Sequence, residues 1–194
     1  HAVAGPTLPP ARGQAIIAGN RAKDNLSSLS NVNSNLAEKD PSQFADLHEA
    51  QTEAIQAQVD AGALTQPEAE QLKKGMGIEL AKGTVRGYMQ SDYENIKASV
   101  IASGDKVDPN TPRLNTALTM LRHGAFDEFL DSDHKKALEQ ELRGNQAAAE
   151  TAGRQAIAQR KTAIDAQGEA FKVDAYQKLQ GNSLDADNVT KAAR

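Results

Sequence analysis

Large apolar residues along this chain recur at spacings of three and four, and nowhere do they alternate as a strand requires. Phe44, Leu47, Ile55 and Val59 fit one helical stripe, and Leu72, Met76 and Leu80 with Ile78 at their shoulder fit the next. Ile96, Val100 and Ile101 mark a short helix, and Leu114, Leu118 and Leu121 another. An earlier segment, from Arg12 to Lys39, carries Ile16, Ile17, Leu26, Leu29, Val32 and Leu36. The polar run Ser27-Ser28 with Ser30-Asn31 weakens the helical reading there, because short hydroxyl and amide side chains compete for backbone hydrogen bonds.

Helix punctuation agrees with the stripes. Asp40-Pro41-Ser42-Gln43 offers an N-cap followed by proline at the first helical position. Thr65-Gln66-Pro67-Glu68 and Ser91-Asp92-Tyr93-Glu94 both spell a capping box, in which the hydroxyl and the Glu satisfy two exposed N–H groups reciprocally. Asp108-Pro109 or Thr111-Pro112 opens a further helix, and Asp131-Ser132-Asp133 another. Gly62, Gly104 and Gly124 stand where a left-handed C-terminal cap belongs. Leu64, Leu130 and Leu184 each sit one residue before a cap, in position to staple the first turn, and this recurring form suggests a repeated helical unit.

From Asp133 to Gln180 there is no proline and no turn cluster, so one long helix is predicted, weakened by Gly144, Gly153 and Gly168. Ile157, Ile164 and Phe171 recur on it at heptad spacing, each preceded by Ala. The positions three residues beyond are Arg160, Gln167 and Asp174, which a self-sufficient coiled coil would not choose. This narrow seam therefore leans on neighbouring helices, or alternatively joins two chains. Ile157, Ile164 and Phe171 are the candidate partner interface.

Composition sharpens the architecture. Leu, Ile, Val and Phe number 36 of 194 residues, just under the level of roughly 20% that accompanies disorder in highly charged chains. Net charge is only −4, and the remainder is rich in the strong helix formers Ala, Gln, Glu and Lys. The expectation is an all-α, elongated multi-helix array with a thin core and a long C-terminal helix. Residues 1–11 read as an extended Pro-rich linker, 12–132 as a bundle of short helices, 133–180 as the long helix, and 181–194 as the start of a further unit. The Pro-rich start and the interrupted last unit predict a piece of a longer polypeptide.

Charge and chemistry exclude more than they suggest. A net negative chain with scattered basic residues does not read as a sequence-specific nucleic-acid binder. No apolar run reaches the length of a membrane span. Absent Cys removes disulfides, thiolate metal sites and thiol nucleophiles. His48-Glu49 begins like a zinc-protease helix motif, but Thr52 stands where its second His belongs. Asp127, Glu128, Asp131, Asp133 and His134 form the densest acidic patch, yet the register of a calcium loop is missing, and capping by Asp131 explains the same residues. Lys74-Gly75-Met76-Gly77 lacks the ending of a phosphate loop, so its glycines serve close helix packing. No catalytic, cofactor-binding or metal-binding residue is assigned, and no enzyme is predicted.

Two stretches carry a resemblance. Leu64-Thr65-Gln66-Pro67-Glu68-Ala69-Glu70-Gln71-Leu72 with Ala81-Lys82-Gly83-Thr84-Val85-Arg86-Gly87-Tyr88 resembles one helical unit of large tailed-bacteriophage virion proteins. Leu118 to Asp127, running into Leu130-Asp131-Ser132-Asp133, resembles the following unit. That family includes internal, ejected and tail-associated structural proteins, some joined to a peptidoglycan-cleaving domain. The resemblance spans residues 41–142 and implies a structural segment located in the virion, with delivery to the host envelope as one fate and other virion chains or a second copy as partners. It supplies no catalytic residue. A cytoplasmic helical adaptor or scaffold is the alternative, and a fragment of a peptidoglycan-degrading enzyme the third.

Overall fold

A computed structural model describes residues 10–104 and 115–192, with side chains over 13–104 and 115–180. Among these residues the chain is all-α, with no strand and a long C-terminal helix. Helix α1 runs Pro10–Lys39, and a 3-10 turn over Pro41–Gln43 leads into α2, Phe44–Asp60. Helix α3 runs Gln66–Ser103, α4 is Thr116–Arg122, and α5 runs Ser132–Ala192. The chain forms two compact units. One comprises 10–95 and 115–148, the other 96–104 and 149–192.

Most predicted starts and stops hold. Asp40 Oδ1 accepts from the Ser42 N–H at 3.1 Å and caps the 3-10 turn. Glu68 reaches back to the Thr65 N–H at 2.9 Å, but the Thr65 hydroxyl donates to the same carboxylate at 2.7 Å, leaving only half of a reciprocal box. Leu64 and Ala69 share a core cluster, as a staple across that cap requires. Gly62, Gly104 and Gly124 all adopt positive φ, at 68°, 60° and 76°. The candidate starts at Asp108-Pro109 and Thr111-Pro112, and the 1–9 part of the Pro-rich linker, lie outside the described residues.

Three features differ from expectation. The Ser91-Asp92-Tyr93-Glu94 box opens no helix, because α3 passes straight through it. Asp92 is instead 3% exposed, and its Oδ2 accepts from the Ala117 N–H at 2.9 Å, capping α4 from the middle of α3. Asn115 completes that cap by accepting from the Leu118 N–H at 2.9 Å. The polar run of α1 is helical throughout, with Ser28 bonded back to the Asp24 carbonyl and Ser30 buried. Finally, α5 does not break at Gly181-Asn182 but continues to Ala192, so residues 181–192 prolong the helix rather than open a new unit.

The expected bundle of short helices at 12–132 is built instead from long ones, α1 with 30 residues and α3 with 38. Nor is 133–180 separate from it, because Leu138 and Leu142 join the core of the first unit. That core gathers Val85 and Met89 of α3, Ala117 and Leu121 of α4, and Phe126 and Leu130 of the connecting loop. A second cluster joins Leu26 of α1, Ile55 of α2, and Leu64 and Met76 around the start of α3.

Few large apolar residues suffice because small ones let backbones approach. A Cβ at Gly87 would lie 2.5 Å from the Glu38 carbonyl and 2.6 Å from the Pro41 ring, so α3 meets the end of α1 there without room for a side chain. One turn earlier, Gly83 abuts the Ser34 backbone, and the Ser34 hydroxyl donates to the Glu79 carbonyl at 3.0 Å. Gly77 makes space for the Phe129 ring, the packing role expected of the glycine pair around Met76; Gly75 faces open space. In the second unit Gly153 of α5 fits against Val100 and the Lys97 carbonyl of α3. Gly83 and Gly87 bring helices close enough for contact with a neighbouring backbone, while Gly77 and Gly153 admit a neighbouring side chain.

Candidate functional site

The second half of α5 carries the candidate interface. Up to Gly153 the helix buries residues regularly; from Ala158 to Gln180 all described residues but the half-buried Ala175 are exposed. Ala, Gln, Lys and Glu sustain this stretch by propensity, helped by pairs such as Lys172–Glu169 at 2.8 Å and Lys178–Asp174 at 2.8 Å. Such surface pairs contribute only tenths of a kcal/mol each to a helix.

The three residues singled out from sequence do not share one environment. Ile157 is half-buried and, with Ile101 at the end of α3, lines a shallow groove that also takes in Gly104, Arg160, Lys161 and Ile164. Ile164 is 67% exposed and Phe171 73% exposed. Heptad spacing had missed Val173, Tyr176 and Leu179, which are exposed as well. A 3.6-residue period would have found Leu179, which lies four residues beyond Ala175 and so continues the line through Phe171. Val173 and Tyr176 lie off that line. Removing large apolar side chains from water gives roughly 25 cal/mol per Å², so this face favours a cover.

The other candidates resolve into packing and capping. His48 faces Phe44 with ring centroids 6.1 Å apart and Phe129 at 5.0 Å. It borders a groove with Thr52, Glu70, Lys73 and Glu128, a mixed set without metal-ligand convergence. In the acidic patch Asp131 Oδ1 accepts from the His134 N–H at 2.9 Å and the Asp133 N–H at 3.1 Å. The His134 backbone bond, the largest contribution, holds the Asp131 carboxyl below its ordinary range. Asp127 pairs with Lys135, and Asp133 lies 3.7 Å from Lys136. Asp127, Asp131 and Asp133 therefore each have their own partner, and no three potential ligands converge among the described residues.

Polar ties between helices fix the first unit. Lys23 of α1 meets Glu68 of α3 at 2.6 Å. Arg86 of α3 meets Glu141 of α5 through two nitrogens at 3.1 and 3.4 Å, and this pairing raises the Arg86 pKa. Among the described residues no helix is long and apolar enough to cross a membrane. No family model, no curated protein and no solved structure matches this chain.

Proposed function

We propose that this chain is a non-enzymatic structural module that works by assembly, laying the uncovered face of α5 against another polypeptide. The observation that carries the reading is the run of exposed apolar side chains at Ile164, Phe171 and Leu179 on a helix that continues beyond them. A globular chain leaves single apolar residues exposed as a matter of course, but a succession along one helix marks a surface that is covered in use.

The setting proposed for that assembly is the virion of a tailed bacteriophage, and the support for it is the resemblance over residues 41–142 alone, carried by residues 64–72 with 81–88 and by 118–127 with 130–133. Gly83 and Gly87 within the first stretch are the points where α1 and α3 meet, so the resembling residues include ones that shape the bundle. Quantitative mass spectrometry of purified particles tests the setting. A fixed copy number per particle supports it; recovery only from host cytosol favours a cellular scaffold instead.

Assembly itself is tested by a photo-crosslinking residue placed at position 171. Capture of a neighbouring chain within the intact particle is expected, and no capture would overturn the reading. Release of soluble fragments from peptidoglycan, lost on changing a single acidic residue, would instead establish an enzyme.

A further inference from the structure

Gly168 stands in the middle of α5 with nothing within 4 Å of where a Cβ would be. Glycine is a poor choice inside an exposed helix, and no contact within the chain calls for it, unlike Gly83, Gly87 or Gly153. Its neighbours on the helix surface supply a reason. At about 100° per residue, Ile164, Gly168, Phe171, Ala175 and Leu179 fall within about 80° of arc. The seam thus alternates large and small along one line, with the small positions four residues after each large one rather than three. Asp165 and Lys172 flank it on the same side.

We infer that this segment of α5 pairs with the same segment of a second copy, antiparallel, about a two-fold axis passing between residues 169 and 170. The inference rests on the assembly reading above and names its partner. In that register Phe171 of each copy enters the gap left by Gly168 of the other, and Ile164 lies over Ala175. The four layers interdigitate large against small, as a packed seam requires. Asp165 of one copy then faces Lys172 of the other, twice across the axis. A two-fold contact demands this self-complementarity of shape and charge.

Competing arrangements lack it. A parallel pair stacks Gly168 on Gly168 and Phe171 on Phe171, leaving an empty layer beside a crowded one. Shifting the antiparallel register by one heptad sets Asp165 against Asp165 and Lys161 against Phe171. In the proposed register Lys161 faces Lys178 at each end, where long side chains turn outward to water and limit the apolar contact to its four central layers. So short an interface gives a reversible, concentration-dependent dimer rather than an obligate one.

Sedimentation equilibrium on the full chain, across the micromolar range, should show a monomer–dimer equilibrium. Asp165→Lys and Lys172→Asp, each alone, are expected to weaken it about tenfold by turning two attractive pairs into repulsive ones. The double variant D165K/K172D should restore it. Gly168→Leu should abolish the dimer while raising helix content, which separates loss of pairing from loss of folding. Because the chain has no Cys, an equimolar mixture of Ile164→Cys and Ala175→Cys variants should cross-link to each other and not to themselves. A chain monomeric at every concentration, a dimer indifferent to Asp165→Lys, or a double variant that fails to recover would each overturn the inference. Self-linking of the Ile164→Cys variant would establish a parallel pair and overturn it equally. The assembly reading falls separately, on absence of a captured neighbour at position 171.

Discussion

Two glycines of this chain illustrate how one residue type takes opposite roles. At Gly83 a methyl group would overlap the Ser34 carbonyl and lie 2.7 Å from its hydroxyl oxygen, both belonging to a helix that cannot easily retreat. Gly83→Ala is expected to destabilise the protein by about 1–3 kcal/mol, as overpacking does. At Gly144 nothing lies within 4 Å, and Gly144→Ala should stabilise by up to about 1 kcal/mol through helix propensity and a less flexible unfolded chain. Urea unfolding of both variants checks the pair of signs. Buried polar residues extend the contrast. Gln51 is 2% exposed with neither amide atom bonded to protein, so Gln51→Met, which keeps the volume and removes the unmet polarity, should raise stability by about 1 kcal/mol. Asp92→Ala should lower it by about 1–3 kcal/mol, because the Ala117 N–H would be left buried without an acceptor. Thermal melts of these two should therefore move in opposite directions.

Among the elements, α3 organises the first unit and its start is tied electrostatically to α1. Glu68 is held down from its ordinary value of 4.5 to about 2, first by Lys23 and then by the Thr65 backbone and hydroxyl donors. A carboxyl with a depressed folded pKa binds its proton more readily in the unfolded chain. Its contribution is complete above pH about 4.5 and declines as the pH falls towards about 2. Glu68→Gln should flatten the pH dependence of stability within that window and leave it unchanged near neutrality; a parallel acid limb would contradict this. Helix starts were legible because caps are local, a matter of three or four residues, as at Asp40, Thr65 and Asp131. The Ser91-Asp92-Tyr93-Glu94 box misled for the same reason. The pattern states that a carboxylate can cap, and only the fold states that Asp92 caps α4 across 25 residues of sequence.

Across the whole molecule, the all-α class followed from periodicity and propensity. The long C-terminal helix followed too, though its continuation past Gly181 did not, since propensity weakens a helix at Gly and Asn without ending it. Of the exposed apolar residues on α5, Ile164 and Phe171 were legible from heptad spacing. Leu179 was not, because a strict seven-residue count drifts off the face of a helix with 3.6 residues per turn. Ile157 proved half-buried, as it belongs with Ile101, which is 56 residues earlier and adjacent only after folding. The low content of large apolar residues was plain from composition, but its physical consequence was not. Sequence by itself determined the helical class, the helix starts capped at Asp40, Thr65 and Asp131, and that the apolar faces are narrow. Tertiary structure alone decided which glycines are contact points and which face of α5 is left open. Those properties depend on the distance between backbones far apart in the chain, and no local pattern encodes it.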